Sequence, residues 1–353
     1  MAGLLFAAAL LTAAITPFFS LLARRVGIVD TPEERRVHGE TTPSAGGISI
    51  FVASVLVLLA ALFVSKTVVQ AFVALDDLVW VVAGGAFLLL VVGAVDDFRP
   101  LGPRTKLLSQ VLAGLAVAAT GLTIDLGAMG CGFLAEKWIA IPLTVLWIVA
   151  ITNATNLIDG LDGLASGICL VAFVVISVRS LGDGGLAAAM IAAILAGSVL
   201  GFLGHNLHPA KVFLGDGGTM VLGFLIAVLP LLRAQVGVSI ETMALTALAL
   251  SVPLMDTAFA IVRRRMAGQP IFSADTDHIH HRLLRAGYGH RGASLLLTSA
   301  SCFSAILGLF VPWRSLQQPV RFLILGFLSL AAVAAFVALL RSGRTSAANA
   351  RGG

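Results

Sequence analysis

The sequence predicts an all-α, polytopic membrane protein with about eleven transmembrane helices, and three observations carry that reading. Of its 353 residues 58% are hydrophobic and 12% charged, with a mean hydropathy of +1.01, far from the balance of a soluble domain. The apolar residues fall in long runs, and a bilayer core about 30 Å thick needs roughly 20 apolar residues of helix to cross it. The basic residues, finally, gather on alternate connections between those runs, as they do when such connections face the cytoplasm.

Taken in order, the first run, 3–22, is followed by its arginines, Arg24 and Arg25, and so reads as a retained helix in place of a cleaved leader. Its connection to the second run, 46–65, holds Asp30, Pro32, Arg35, Arg36, His38, Pro43 and the pair Gly46-Gly47. The third run, 78–95, ends on Asp96-Asp97, and Arg99, Arg104 and Lys106 lead into the fourth, 106–124. The fifth, 138–153, passes into Asn153-Ala-Thr-Asn156-Leu-Ile-Asp159-Gly-Leu-Asp162-Gly before the sixth, 163–181. Between the seventh, 186–204, and the eighth, 218–236, stand His205, Asn206, His208, Pro209, Lys211, Phe213 and Gly215-Asp216-Gly217-Gly218. The ninth, 242–261, is followed by the longest polar stretch, 262–291, with Arg263 to Arg265, Phe272, Asp275, Asp277, His278, His280, His281 and Arg282. Runs 292–311 and 320–340 complete a single membrane domain, 1–341, and residues 342–353 read as a disordered cytoplasmic tail.

With the N-terminus outside, all but six of the 23 basic residues lie on inner loops or the tail, the six being Lys66, Lys137, Arg179, Arg233, Arg314 and Arg321. The C-terminus is then cytoplasmic, and the five unusual polar clusters share the cytoplasmic face. The formal charge of +5 is therefore a topology signal, and no aromatic residues interleave it to suggest nucleic acid. Cys131, Cys169 and Cys302 have no paired spacing, so neither a disulfide framework nor a zinc site is implied.

Polar clusters beside hydrocarbon are costly and usually line a substrate, ion or active-site path. Adjacent carboxylates at Asp96-Asp97 suit a metal, a proton acceptor or a partner such as Lys106, although a solvated helix end reads the same way. The glycines at 215–218 before a helix offer backbone amides to phosphate, with Asp216 as a ligand for Mg²⁺; the bland alternative is a tight turn. Phe213 can stack on a nucleobase or anchor the interface. The histidines at 278, 280 and 281 among arginines favour an anion such as a diphosphate, with zinc as the rival. Carboxylates for a metal, amides and cations for phosphate, an aromatic ring for a base and a lipid boundary are together the equipment of phosphoryl transfer between a nucleotide and a lipid, which runs on positioning and charge neutralisation.

The motifs resemble those of the polyprenyl-phosphate N-acetylhexosamine-1-phosphate transferases along nearly the whole chain. Asp30-Thr-Pro-Glu-Glu-Arg-Arg-Val-His38 with Gly46-Gly47, Asp96-Asp97 to Lys106, and Asn153 to Ala165 appear in the family's order. Asn206-x-x-Pro-Ala-Lys-Val-Phe-Leu-Gly-Asp-Gly-Gly218 and His278-Ile-His-His281 follow them. The His-x-His-His form is similar to the branch using UDP-N-acetylglucosamine; the branch transferring phospho-MurNAc-pentapeptide has three consecutive histidines. Arg36, Thr41 and Thr219 depart from the usual lysine, proline and serine, which blurs the donor subtype more than the reaction.

The resemblance implies transfer of GlcNAc-1-phosphate from a UDP-N-acetylhexosamine to undecaprenyl phosphate in the cytoplasmic membrane, releasing UMP and starting a cell-envelope polysaccharide. It implies Mg²⁺, with Mn²⁺ as a substitute, on Asp216 and Asn156, and Asp159 nearby. Phe213 would stack on uracil, Asp162 and Asn206 would hold the nucleoside, and Lys211 the diphosphate. Asp96 would deprotonate the lipid phosphate, with Asp97 and Lys106 in the same pocket; a covalent aspartyl-phosphate on Asp96 is the internal rival. His278, His280, His281 and Arg265 would bind diphosphate or sugar, with Arg35 and His38 as further contacts. A homodimer is compatible with all of this. The competing classes are a cation-coupled transporter, which places ionisable residues near the membrane midplane, and a CDP-alcohol phosphotransferase with one compact acidic motif.

Overall fold

A computed structural model describes residues 1–30, 41–124, 136–232, 240–270 and 277–311, and in them the chain is almost wholly helical. The helices are α1 (Ala2–Val26), α2 (Gly46–Val64), α3 (Lys66–Val73), α4 (Leu78–Phe98), α5 (Pro103–Ala119), α6 (Lys137–Leu157) and α7 (Leu164–Gly182). They continue with α8 (Leu186–Asn206), α9 (Gly215–Val228), α10 (Ile240–Ala249), α11 (Ser251–Met266), α12 (Ile279–Arg285) and α13 (His290–Phe310). Two short strands, β1 (Val29–Asp30) and β2 (Thr42–Pro43), pair antiparallel between α1 and α2. Among the described residues seven helices are long and apolar enough to cross a membrane, or eight if the bent pair α10 and α11 counts as one span.

Ten of the predicted runs are therefore helical, but not all as single straight spans. Where one helix over 242–261 was expected, the chain bends by 74° between α10 and α11. Pro253, third in α11, has no N–H to extend a helix from α10, so the bend falls just before it. The run 218–236 begins earlier, at Gly215, and its helix stops at Val228, where Pro230 tightens the next turn into a 3-10 helix over Leu229–Leu231. Helices α3 and α12 were not anticipated. The run 320–340, the tail, Arg35, His38, Phe272 and Asp275 lie outside the described residues.

Helices α7, α8 and α9 form the interior, whereas α1 stands at the edge and buries only 17% of its apolar window. The short α9 sits among α2, α4 and α6 because small residues allow close approach. A Cβ on Gly47 of α2 would lie 2.3 Å from Gly218 Cα, and one on Gly93 of α4 would lie 2.3 Å from Gly217 Cα. These backbone contacts bring the first turn of α9 against the last turn of α4, which is where the acidic residues meet.

Candidate active site

The C-terminal end of α4 and the N-terminal end of α9 share one short network. Asp97 Oδ1 accepts the Asp216 amide at 2.8 Å and its Oδ2 accepts the Gly217 amide at 3.4 Å, so this carboxylate caps α9. Gly215, at φ +76°, makes the turn, and a Cβ there would meet Asp97 Oδ2 at 2.6 Å. The expectation that the amides at 215–218 cradle a phosphate is narrowed: those of Asp216 and Gly217 are already taken by the Asp97 side chain. Lys106 Nζ donates to Asp96 Oδ2 at 2.9 Å and to Asp216 Oδ2 at 2.5 Å, and the Leu101 amide donates to Asp96 Oδ1 at 2.6 Å. One ammonium therefore joins two carboxylates from different helices.

Beneath this network the last turn of α6 meets α9. Asn156 Nδ2 donates to Thr219 Oγ1 at 2.8 Å, leaving the Asn156 amide oxygen for another partner, and Thr219 Oγ1 donates to the Asp216 carbonyl at 3.1 Å. Asn153 donates to Gln110 Oε1 on α5 and to the Val149 carbonyl. Gln110 escaped the sequence reading because an isolated amide in an apolar run has no motif to mark it.

The segment after α6 forms one wall. Asp159 to Asp162, with Val29, Asp30, Ser44, Asp96, Asp97, Phe98, Pro100, Asn206, Phe213, Gly215 and Asp216, line a cavity of about 560 Å³, within the range of small-molecule sites. Asp162 Oδ2 accepts from His208 Nδ1 at 2.6 Å and from the Ala210 amide at 3.1 Å, tying this wall to the loop before α9. Asn206 is 2% exposed and its amide is spent within the protein. Its Oδ1 accepts from Ser166 Oγ and the Gly163 amide, and its Nδ2 donates to the Val212 carbonyl. The expected nucleotide contact at Asn206 is thus redirected: the residue clamps the loops that shape the wall. Phe213 is held by its own backbone, its amide donating to the Pro43 carbonyl and its carbonyl accepting from the Gly46 amide.

Cavity-lining side chains are heavily acidic, with Lys106 the neighbouring cation. Burial, followed by the charges of Asp216, Asp97 and Asp162, raises the Asp159 pKa to about 8. No group of three His, Cys, Asp or Glu side chains forms a metal cage among the described residues. Hard oxygens from Asp216 and Asn156 in this carboxyl-rich setting nonetheless fit Mg²⁺, which takes one or two protein oxygens and completes its shell with phosphate and water.

The histidine segment stands behind this wall and not in it. A Cβ on Gly160 would lie 2.3 Å from His280 Nε2, so the imidazole backs the Asp159 to Asp162 turn. His280 is buried, and burial together with neighbouring His281 lowers its pKa to about 4. It is neutral at pH 7, so His280 brings no positive charge toward a diphosphate. Against the opposing effect of burial, Arg282 and Arg285 hold Asp277 below the usual carboxylate pKa, both donating to its oxygens. His281, Lys211 and Arg265 are exposed, and neither lysine nor arginine is brought to the cavity lining. The structure adds Asp256, a buried carboxylate on α11 whose Oδ2 accepts from His278 Nδ1 at 2.8 Å. Its sequence signal was a lone acid inside the apolar run 242–261.

Residues 79–234 match the model of glycosyl transferase family 4. The chain is 39% identical to the probable undecaprenyl-phosphate N-acetylglucosaminyl 1-phosphate transferase of Bacillus subtilis, over 80% of this chain and 77% of that protein. It is 35% identical to the decaprenyl-phosphate N-acetylglucosaminephosphotransferase of Mycobacterium tuberculosis, over 94% of this chain and 89% of the relative. With the undecaprenyl-phosphate alpha-N-acetylglucosaminyl 1-phosphate transferase of Escherichia coli O157:H7 the identity is 32%, over 84% and 80%.

Proposed function

Because the chain belongs to glycosyl transferase family 4, we propose that the acidic cavity at the α4 and α9 ends is where it transfers GlcNAc-1-phosphate to a polyprenyl phosphate. The relatives' names support that reaction, and undecaprenyl phosphate as acceptor with UDP-GlcNAc as donor is the pairing we assign. The observation that carries the site is the convergence of Asp96, Asp97, Asp159, Asp162, Phe213 and Asp216, from three separate segments of the chain, around one cavity of about 560 Å³.

An oxygen of the lipid phosphate attacks the sugar-linked phosphorus of the donor, the bond from that phosphorus to the bridging oxygen breaks, and UMP leaves with the electron pair. Phe213 offers a ring on a fixed backbone for uracil. Asp162, with one oxygen held by His208, presents the other to the nucleoside. Asp216 and the Asn156 amide oxygen would hold Mg²⁺, which supplies charge neutralisation on the diphosphate. Lys106 turns from the carboxylates to the phosphates when substrate enters, and Asp96, released from it, accepts a proton from the lipid phosphate. Asp97 keeps α9 in place. We orient this end of the bundle toward the cytoplasm.

The test is UMP release by purified protein from UDP-GlcNAc, UDP-GalNAc and UDP-MurNAc-pentapeptide. Release from UDP-GlcNAc that needs both undecaprenyl phosphate and Mg²⁺ supports the assignment. Lipid binding with no UMP from any donor would overturn it.

A further inference from the structure

We propose that Asp256 is a positioning residue for this site, setting through His278 the orientation and tautomer of the histidine segment that backs the cavity wall. Asp256 lies on α11 and is 2% exposed, and a buried carboxylate is costly unless its oxygens are hydrogen-bonded. Here both are used: Oδ2 accepts from His278 Nδ1 at 2.8 Å, and Oδ1 accepts from the Ile279 amide at 2.9 Å. An ionised carboxylate can only accept, so the proton of His278 is fixed on Nδ1 and Nε2 becomes the other, available nitrogen. The Ile279 bond fixes the start of α12 at the same time. His278 then lies parallel to His280, with ring centroids 5.8 Å apart and planes 2° apart. His280 in turn fills the space behind Gly160, between Asp159 and Asp162. A contact chain thus runs from the interior of α11 through two imidazoles to the cavity wall, and Asp256 holds its far end.

The inference rests on the transferase reading, and Asp256→Asn tests it separately. Asparagine keeps the volume but presents an NH₂ group, so it cannot accept from both His278 and Ile279. We expect kcat to fall about ten- to hundredfold, the usual scale for losing the group that orients a site histidine. In a His278→Gln background the same change should add less than about twofold, because Asp256 acts through that ring. Wild-type kinetics in Asp256→Asn, or losses that multiply in the double variant, would overturn the proposal. A second measurement needs no variant at Asp256: ¹⁵N-histidine spectra of the wild-type protein, with His278→Gln for assignment. They should show His278 protonated on Nδ1, and the opposite tautomer would also overturn it. Absence of UMP release from the wild-type protein counts against the transferase reading, and the spectra judge Asp256 independently.

Discussion

Asp97 and Asp216 show how adjacent acids divide their work. Asp97 caps α9, and Asp216, held by that helix, gives an oxygen to Lys106 and is the residue proposed to hold the metal. Asp216→Ala should therefore abolish UMP release at every Mg²⁺ concentration, and turnover restored by excess Mg²⁺ would disprove its role. Phe213→Ala removes only a stacking face, worth about 1–3 kcal/mol per base. Donor KM should rise roughly tenfold or more with kcat largely kept, as steady-state kinetics will read. Asp159 yields a pH prediction. Its pKa of about 8 in the fold exceeds the ordinary carboxylate value of about 4, so the folded protein binds this proton more tightly than the unfolded chain. Its contribution is then fully present below about pH 4 and lost as pH rises through about 8. With metal chelated, Tm in detergent should fall between pH 5 and 8, and Asp159→Asn should flatten that fall; a wild-type profile already flat there would refute the assignment. At this scale the sequence disclosed which side chains matter by their types and spacing. It did not disclose partners: Asn206 reads as a ligand until its buried amide is seen spent on Gly163, Ser166 and Val212.

At the scale of elements, the site depends on how closely α4 and α9 approach. Gly93→Val would put a side chain where the Gly217 backbone stands, since even its Cβ would lie 2.3 Å from Gly217 Cα. The helices must separate, and the Asp97 cap on α9 then lengthens. Activity should fall at least tenfold, with a lower Tm, by the general cost of overpacking, about 1–3 kcal/mol. Gly84→Val, also on α4, meets nothing within 4 Å and should behave like the wild type in both measurements. Equal loss in the two variants would show that glycine at 93 matters for helix propensity alone. Most spans were legible because a run of apolar residues suffices to mark a helix. The 74° break between α10 and α11 was not, because hydropathy counts apolar residues and is blind to the direction in which Pro253 lets the chain resume. Helix α12 was hidden for the opposite reason: its seven residues, Ile-His-His-Arg-Leu-Leu-Arg, are too few and too polar to stand out.

For the whole molecule, the two ends of the bundle differ in how they treat charge. The end carrying the cavity gathers carboxylates, with Lys106 the neighbouring cation, a setting in keeping with the proposed metal and diphosphate. At the other end, among the described residues, Arg179 of α7 bonds to Asp183 at 3.3 Å and to Glu241 of α10. A transporter would place its ionisable groups near the midplane, whereas Asp96, Asp97 and Asp216 sit at helix ends. The orientation can be read in intact cells from a background with Cys131, Cys169 and Cys302 replaced by serine. Asp76→Cys, between α3 and α4, and Lys137→Cys, at the start of α6, should react with a membrane-impermeant maleimide added outside. Arg104→Cys, at the start of α5 beside the cavity end, should react only after the cells are opened. The reverse pattern would put the cavity outside, away from any cytoplasmic UDP-sugar, and the assigned donor would fall with the topology.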